Sequence, residues 1–267
     1  MTQLDEPTVE RAFERAANTA KYGSQEARSG QFGAMTVERQ LATRLLNEAE
    51  AATRAWSSWM AINDCLSSPE LERAISHLDL WGLGPIRQAL MRDAILGAYR
   101  LSDPHNADNL KVSLCRAVKL SENADTANLL ASTEWALDIG YGPAMAKAAA
   151  ETNARKLGHL QDLVVSDWKK PPKSSEFLSL RMILKPIRDR QLAHSIDSSE
   201  VSKVTVDELT KFIGMTLDLA ADFSFVMNGS APSPNDVRKL HSESAKRFWE
   251  LAFKAPLDQY RQYNAKG

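Results

Sequence analysis

The chain has 267 residues, and its 33 Lys and Arg side chains are balanced by 34 Asp and Glu, which gives a formal net charge of −1. This balance excludes a uniformly basic protein that coats nucleic acid, but it allows a local basic patch. No apolar run approaches the roughly 20 residues that a membrane-spanning helix needs, and residues 1–10 lack the basic and apolar regions of a secretory signal. We therefore expect a cytoplasmic protein with no membrane partner.

The apolar residues favour helices over strands. The chain contains 36 Ala and 31 Leu but only 11 Val and 9 Ile. Ala and Leu are strong helix formers, whereas β-branched residues prefer strands, so the composition predicts an all-α protein. Cys65 and Cys115 lie far apart and form no CxxC motif, so we expect neither a disulfide framework nor a zinc cluster.

The sequence offers no standard site for a metal or a cofactor. The five histidines are scattered. His77, His105 and His241 each have an acidic residue two positions away, and each such pair offers only two ligands, where a metal site needs three or four. Glycine-rich phosphate-binding motifs are also missing. We therefore expect no metal and no cofactor.

Apolar spacing and capping residues divide the chain into predicted helices. Residues 1–35 should form a helix and a linker, because residues 23–34 contain three glycines and two serines. Apolar residues then recur every three or four positions from Leu41 to Ile62, which predicts a long helix that ends near Ser67. Further helices are predicted from Ser68-Pro69 onward, from Gly84-Pro85 to Ser102, from Asp108 or Asn109 through Val118, at about 124–139, 143–167 and 174–197, from the Thr205/Glu208 capping box to Gly229, and at about 234–253.

Long helices joined by short loops are typical of an antiparallel helical bundle. We expect this bundle to occupy residues 36–229. The N-terminal helix and linker, 1–35, would precede it, and a C-terminal helix and tail, 230–267, would follow it.

In residues 180–195 a histidine falls on the apolar surface of a predicted helix, and arginines lie beside it. On a helical wheel the apolar stripe of this segment contains Leu180, Ile183, Leu184 and Ile187, and Gln191 and His194 fall on the same stripe. Pro186 is expected to kink the helix or to begin a new one. His194 has a structural interpretation, as a core histidine with a satisfied ring. It also has a functional one, because a histidine beside Arg188 and Arg190 is costly to bury unless the surface meets something polar.

The same segment is strongly basic. Between Trp168 and Arg190 there are seven basic and two acidic residues, a local charge of +5 in a chain of −1. A solvated face would explain this charge without any function. However, a histidine, an arginine and a basic surround are also what RNA cleavage by its own 2′-OH requires, and that reaction needs no metal ion.

The motif resembles that of a known family. Arg188-Asp-Arg-Gln-Leu-Ala-His194 is similar to the R-x(4–6)-H signature of HEPN domains, and Asp189 stands where a polar residue commonly follows the Arg. The phrase RDRQLAHS is most similar to the abortive-infection (AbiU-type) branch, as are AYRLSDP at 98–104 and the segment 109–114 that follows it. The resemblance covers roughly Thr36 to Asn228.

A second match to the motif, from Arg100 to His105, is not taken as the site. Its Arg is followed by Leu101, and its His lies beyond Pro104 in a predicted turn.

The resemblance implies an all-α, antiparallel HEPN-like bundle with additional helices at both ends. It also implies a homodimer in which the motif helices face each other, so that RNA is cleaved in a composite cleft. His194 would act as general base or acid, Arg188 would bind the scissile phosphate, and Asp189 would orient an active-site side chain. The residues expected to contact the RNA substrate are Lys185, Arg190, Arg181 and Ser195.

Three functions remain open at this point. The first is a metal-independent endoribonuclease of phage defence or toxin-antitoxin action, which an antitoxin or another defence protein would accompany. The second is a non-catalytic HEPN bundle that binds RNA, a nucleotide or a defence partner. The third is a plain helical scaffold in which His194 belongs to the core.

Overall fold

The computed structural model describes residues 35–77, 82–102, 112–161, 175–193 and 204–265, and for residues 188–193 it describes the backbone alone. These ranges contain no strand, and the prediction of an all-α protein is confirmed. Their helices are α1 Thr36–Leu66, α2 Pro69–His77, α3 Leu83–Leu101, α4 Leu114–Glu122, α5 Ala124–Leu130, α6 Thr133–Asp138, α7 Pro143–Gln161, α8 Glu176–Ala193, α9 Val206–Asn228 and α10 Pro234–Asn264.

Several helix ends agree with the sequence pattern because local side chains set them. α1 ends one residue before Ser67, and α2 begins at Pro69, as predicted. At the start of α9 the backbone N–H of Glu208 donates to Thr205 Oγ1 at 3.1 Å, while the N–H of Thr205 donates to a carboxylate oxygen of Glu208 at 2.8 Å. This reciprocal pair is the predicted capping box.

The helix predicted at 124–139 is in fact two helices. α5 ends at Leu130, and Ser132 begins α6 by accepting a hydrogen bond from the N–H of Trp135 at 3.1 Å. A serine in this position accepts a hydrogen bond from a backbone N–H that has no partner within the new helix. It therefore favours two helices over one continuous helix.

Other boundaries differ from the predictions or lie outside the described residues. α4 begins at Leu114, and its N-cap is Ser113; the expected caps Asp108 and Asn109 lie outside the described residues, as do the predicted N-terminal helix and linker. α8 continues through Pro186, so the proline does not begin a new helix. α10 continues through Pro256 to Asn264 and is longer than predicted.

The helices form two compact units. The first unit comprises the described residues 35–46, 112–161, 175–178 and 218–231. Trp135 lies fully buried in its core, where the indole N–H donates to the carbonyl of Val226 at 2.8 Å and the guanidinium of Arg39 lies 4.7 Å from the ring centre. Arg39 also forms an ion pair with Asp138. The start of α1, α6 and the end of α9 are therefore joined through one tryptophan.

The second unit comprises the described residues 47–77, 82–102, 179–193, 204–217 and 232–265. α2 and α10 pack against the end of α1, and the buried cluster consists of Ala61, Ile62, Leu71, Ala245, Trp249 and Phe253. α1 and α3 approach closely at Gly97, where an added Cβ would lie 3.2 Å from that of Ala52. The indole N–H of Trp56 donates to Thr210 Oγ1 at 3.1 Å and thereby joins α1 to α9.

We expect His241, on α10 in this second unit, to make the free energy of unfolding depend on pH. Burial lowers the pKa of His241, the nearby Arg54 lowers it further, and Glu50 opposes this shift. In the unfolded chain the pKa of a histidine is about 6.5, so the unfolded chain takes up a proton before the folded chain does as the pH falls. The free energy of unfolding should therefore decrease as the pH falls through this value.

Urea denaturation at about pH 5 and about pH 7.5, on either side of the histidine pKa, measures this effect. We expect His241→Gln to lose less stability between the two pH values than the wild type. An equal loss in both proteins would contradict a neutral His241 in the folded chain.

None of the described helices combines the length and the hydropathy that crossing a membrane requires.

Candidate functional site

α8, the helix on which Arg188 lies, is buried along one side in its first three turns. The buried residues on this side include Leu180, Arg181, Leu184 and Ile187. The apolar stripe predicted from the wheel is therefore partly wrong, because Ile183 has 42% of its surface exposed and Arg181 has only 7%. The packed side of the helix therefore includes the arginine and does not include Ile183.

Arg181 has specific partners within the second unit. Its Nε donates to the backbone carbonyl of Ser102 at 2.9 Å, and its guanidinium lies 4.9 Å from the ring centre of Tyr99. A cation that is buried without partners would be strongly destabilising. The carbonyl and the ring both contribute to offsetting this cost, because the carbonyl meets the edge of the planar guanidinium and the ring meets its face.

The residues that receive Arg181 form the C-terminal end of α3. Tyr99 and Ser102 are fully buried, and both the N–H and the hydroxyl of Ser102 donate to the carbonyl of Tyr99, at 3.0 and 2.8 Å. Carbonyls at the end of a helix have no partner within the helix and carry a partial negative charge. The carbonyl of Ser102 is thus a natural acceptor for a cation.

This contact joins two segments, far apart in the sequence, on which the family resemblance rests. Residues 98–102 begin the AYRLSDP phrase, and Arg181 lies on α8, which contains residues 188–193, the first six residues of the RDRQLAHS phrase. Arg100, inside the first phrase, is exposed and donates to a carboxylate oxygen of Glu48 on α1 at 2.9 Å. Arg100, the Arg of the second motif match, thus has an ion-pair partner on a neighbouring helix.

The other predicted site residues, between 185 and 195, are described only in part. Lys185 is exposed on α8. Arg188, Asp189 and Arg190 belong to the same helix, which is described as far as Ala193, and nothing is described of their side chains. The predicted positions His194 and Ser195 lie outside the described residues.

The backbone of α8 relates Arg181 to the motif. Arg188 follows Arg181 by seven residues, which is two turns and about 10 Å along a straight helix. Pro186, between them, lacks an N–H and therefore cannot bond to the carbonyl of Met182, but the helix continues beyond it. The motif thus follows directly on the anchored part of α8.

A second group of polar side chains, which was not predicted from the sequence, lies in the first unit. His159 Nδ1 on α7 lies 2.9 Å from one carboxylate oxygen of Asp222 on α9, and Lys156 forms an ion pair with the other oxygen. The ammonium of Lys156 also lies 5.0 Å from the ring centre of Phe225. The spacing of Lys156 and His159 indicates a shared helix face, but Asp222 is 63 residues away from His159 and no local signal points to it.

Comparison with protein families gives one match. The family described as AbiU2, of the HEPN group, matches residues 36–248. The match begins where the resemblance was expected to begin and extends beyond Asn228 into α10.

Comparisons with curated proteins and with solved structures found no match. The family match spans well over half of the chain and includes both α3 and α8. The chain therefore belongs to the AbiU2 family of HEPN domains, an abortive-infection family.

Proposed function

We propose that this protein is a metal-independent endoribonuclease of HEPN type that acts in phage defence or as a toxin. The observation that carries this proposal is the Arg188/His194 motif in the sequence of a chain that belongs to a HEPN family; residues 188–193 of the motif are the last residues of α8. The anchoring of the first turns of α8 supports it, because catalytic groups must be held in place by rigid elements.

The proposed reaction uses the RNA's own 2′-hydroxyl as nucleophile. His194 accepts the proton of the 2′-OH, or donates one to the departing 5′-oxygen, and Arg188 stabilises the charge that develops on the phosphate. The 2′-oxygen bonds to phosphorus as the bond from phosphorus to the 5′-oxygen breaks. The products carry a 2′,3′-cyclic phosphate and a 5′-hydroxyl.

The remaining predicted residues have supporting roles in this proposal. Asp189 orients an active-site side chain, and Ser195, Lys185 and Arg190 contact the RNA. The exposure of Lys185 supports its part, since a lysine that binds a phosphate must reach solvent in the free protein. No cofactor takes part.

The helical geometry favours a composite cleft between two subunits. Arg188 and His194 are six residues apart, so on a straight helix they would differ by about 120° in direction and about 9 Å in height. Such a pair cooperates poorly within one helix. Across a two-fold axis, the Arg of one subunit can meet the His of its partner.

Incubation with RNA in the presence of EDTA tests this proposal. We expect cleavage of unmodified RNA and new ends that carry a 2′,3′-cyclic phosphate. The same RNA with 2′-O-methyl groups is the matched control and should remain intact, because it has no free 2′-hydroxyl. Absence of cleavage, or equal cleavage of both substrates, would remove the proposal.

A non-catalytic HEPN protein is the alternative that the same assay separates. Such a protein would bind RNA with an affinity that falls steeply with salt and would produce no new ends. Absence of RNA binding as well would favour the third function, a plain helical scaffold in which His194 belongs to the core.

A further inference from the structure

We propose that Arg181 is a positioning residue that holds α8 against the end of α3 and thereby sets the position of the helix backbone at residues 188–193, which begin the motif. The catalytic part of this inference rests on the proposed function. Arg181 was expected to bind substrate, but its burial and its contacts with Ser102 and Tyr99 favour this different role.

Two contacts of different kinds restrain α8 at Arg181. The bond from Nε to the Ser102 carbonyl limits movement of the side chain away from the end of α3, because hydrogen bonds weaken steeply with distance and angle. The Tyr99 ring meets the face of the guanidinium and limits its tilt. Together they restrain both the axial position and the rotation of the helix at this point.

The residues that hold Arg181 are themselves buried and hydrogen-bonded. Tyr99 and Ser102 are fully buried, and Ser102 makes two hydrogen bonds to the carbonyl of Tyr99. Leu184 and Ile187 continue the buried side of α8 toward the motif. A change at Arg181 is therefore transmitted along a packed helix and not absorbed by a loose surface.

The catalytic consequence follows from the sensitivity of reactions to geometry. A displacement of about 1 Å at a reacting group costs on the order of a hundredfold in rate, even when the mutation is far from the chemistry. Loss of Arg181 should therefore lower kcat and leave the substrate contacts in place. A residue that binds a phosphate would behave differently, because its loss weakens binding and reduces the salt dependence.

Arg181→Met and Lys185→Met form a matched pair of variants for this test. Both remove one positive charge from α8, but Arg181 is buried and Lys185 is exposed. For Lys185→Met we expect a higher KM and a slope of log Kd against log salt that is smaller by about 1. For Arg181→Met we expect kcat to fall by about ten- to a hundredfold with the slope unchanged.

Arg181→Lys separates geometry from charge. It keeps the charge but lacks the planar group that meets both the carbonyl and the ring, so its kcat should lie between those of the wild type and Arg181→Met. Reduction of the slope by Arg181→Met, or a kcat equal to that of the wild type, would overturn the proposal.

Hydrogen exchange tests the same inference without any need for activity. In Arg181→Met the amides of α8 and of the last turn of α3 should exchange faster, while those of α10 keep their wild-type rates. Uniform acceleration in all helices, or none in α8, would contradict a positioning role. If the wild type cleaves no RNA, the proposed nuclease fails, but this exchange pattern still decides the role of Arg181.

A second variant covers the case in which Arg181→Met does not fold. Tyr99→Leu removes the ring from the opposite side of the contact and leaves Arg181 in the chain. We expect the same local acceleration in α8 and a fall in kcat without a change in the salt slope. Unchanged exchange in α8 of this variant would overturn the proposal.

Discussion

Replacement of His194 by Ala should reduce RNA cleavage by about a hundred- to ten-thousandfold, which is the usual contribution of a general acid or base. Replacement of Arg188 by Ala should cost about a hundred- to a thousandfold, because a cation that stabilises developing charge on the phosphate is lost. Single-turnover cleavage in EDTA measures both effects. Far-UV circular dichroism shows whether each variant keeps its helices.

The second motif match provides the control for this prediction. His105→Ala changes the histidine that follows Arg100, which also fits the R-x(4–6)-H spacing. It should cleave RNA at the wild-type rate if Arg188 and His194 form the site. Wild-type activity in His194→Ala, or loss of activity only in His105→Ala, would assign the chemistry elsewhere.

Mixed subunits test the composite cleft directly. A dimer of one Arg188→Ala subunit and one His194→Ala subunit keeps one intact Arg and one intact His, on opposite subunits. Such mixtures should recover part of the activity that each variant alone lacks. No recovery would mean that each subunit uses its own pair, or that the active protein is not a dimer.

Trp135→Ala should lower the free energy of unfolding by about 3–5 kcal/mol, the usual cost of truncating a buried aromatic residue. The side chain is fully buried, donates to the Val226 carbonyl at 2.8 Å, and contacts the Arg39 guanidinium. Its loss leaves a cavity and a carbonyl without this donor. Urea denaturation followed by circular dichroism measures the change.

Trp135→Phe is the matched control for this large effect. It keeps an aromatic ring in the core but removes the indole N–H, so we expect a smaller loss of about 1–3 kcal/mol from the unsatisfied carbonyl and the reduced packing. If Trp135→Ala destabilised the chain no more than Trp135→Phe, the core of the first unit would not depend on the size of this residue.

Much of the helical structure could be predicted because local interactions determine it. The Ala and Leu content indicated an all-α chain, and the Thr205/Glu208 capping box marked the start of α9 correctly. The break between α5 and α6 was missed although Ser132 is a local signal, because the apolar spacing alone favours one continuous helix.

The candidate site could be predicted only in part. The order of residues in RDRQLAHS was enough to indicate the family, which the match over residues 36–248 shows. The wheel, however, placed Ile183 on the buried stripe and did not predict that Arg181 would be buried. A wheel gives the angles between side chains, but it does not say which angle faces the neighbouring helix.

The charge balance, the helical class and the motif could be read from the sequence, since each depends on composition or on residues close together in the chain. The burial of Arg181 depends on tertiary packing, because its acceptor Ser102 is 79 residues away. The same holds for Asp222, which binds His159 across 63 residues. The net charge of −1 therefore says little about function, because packing decides which charges are buried in contacts and which, like Lys185, face solvent.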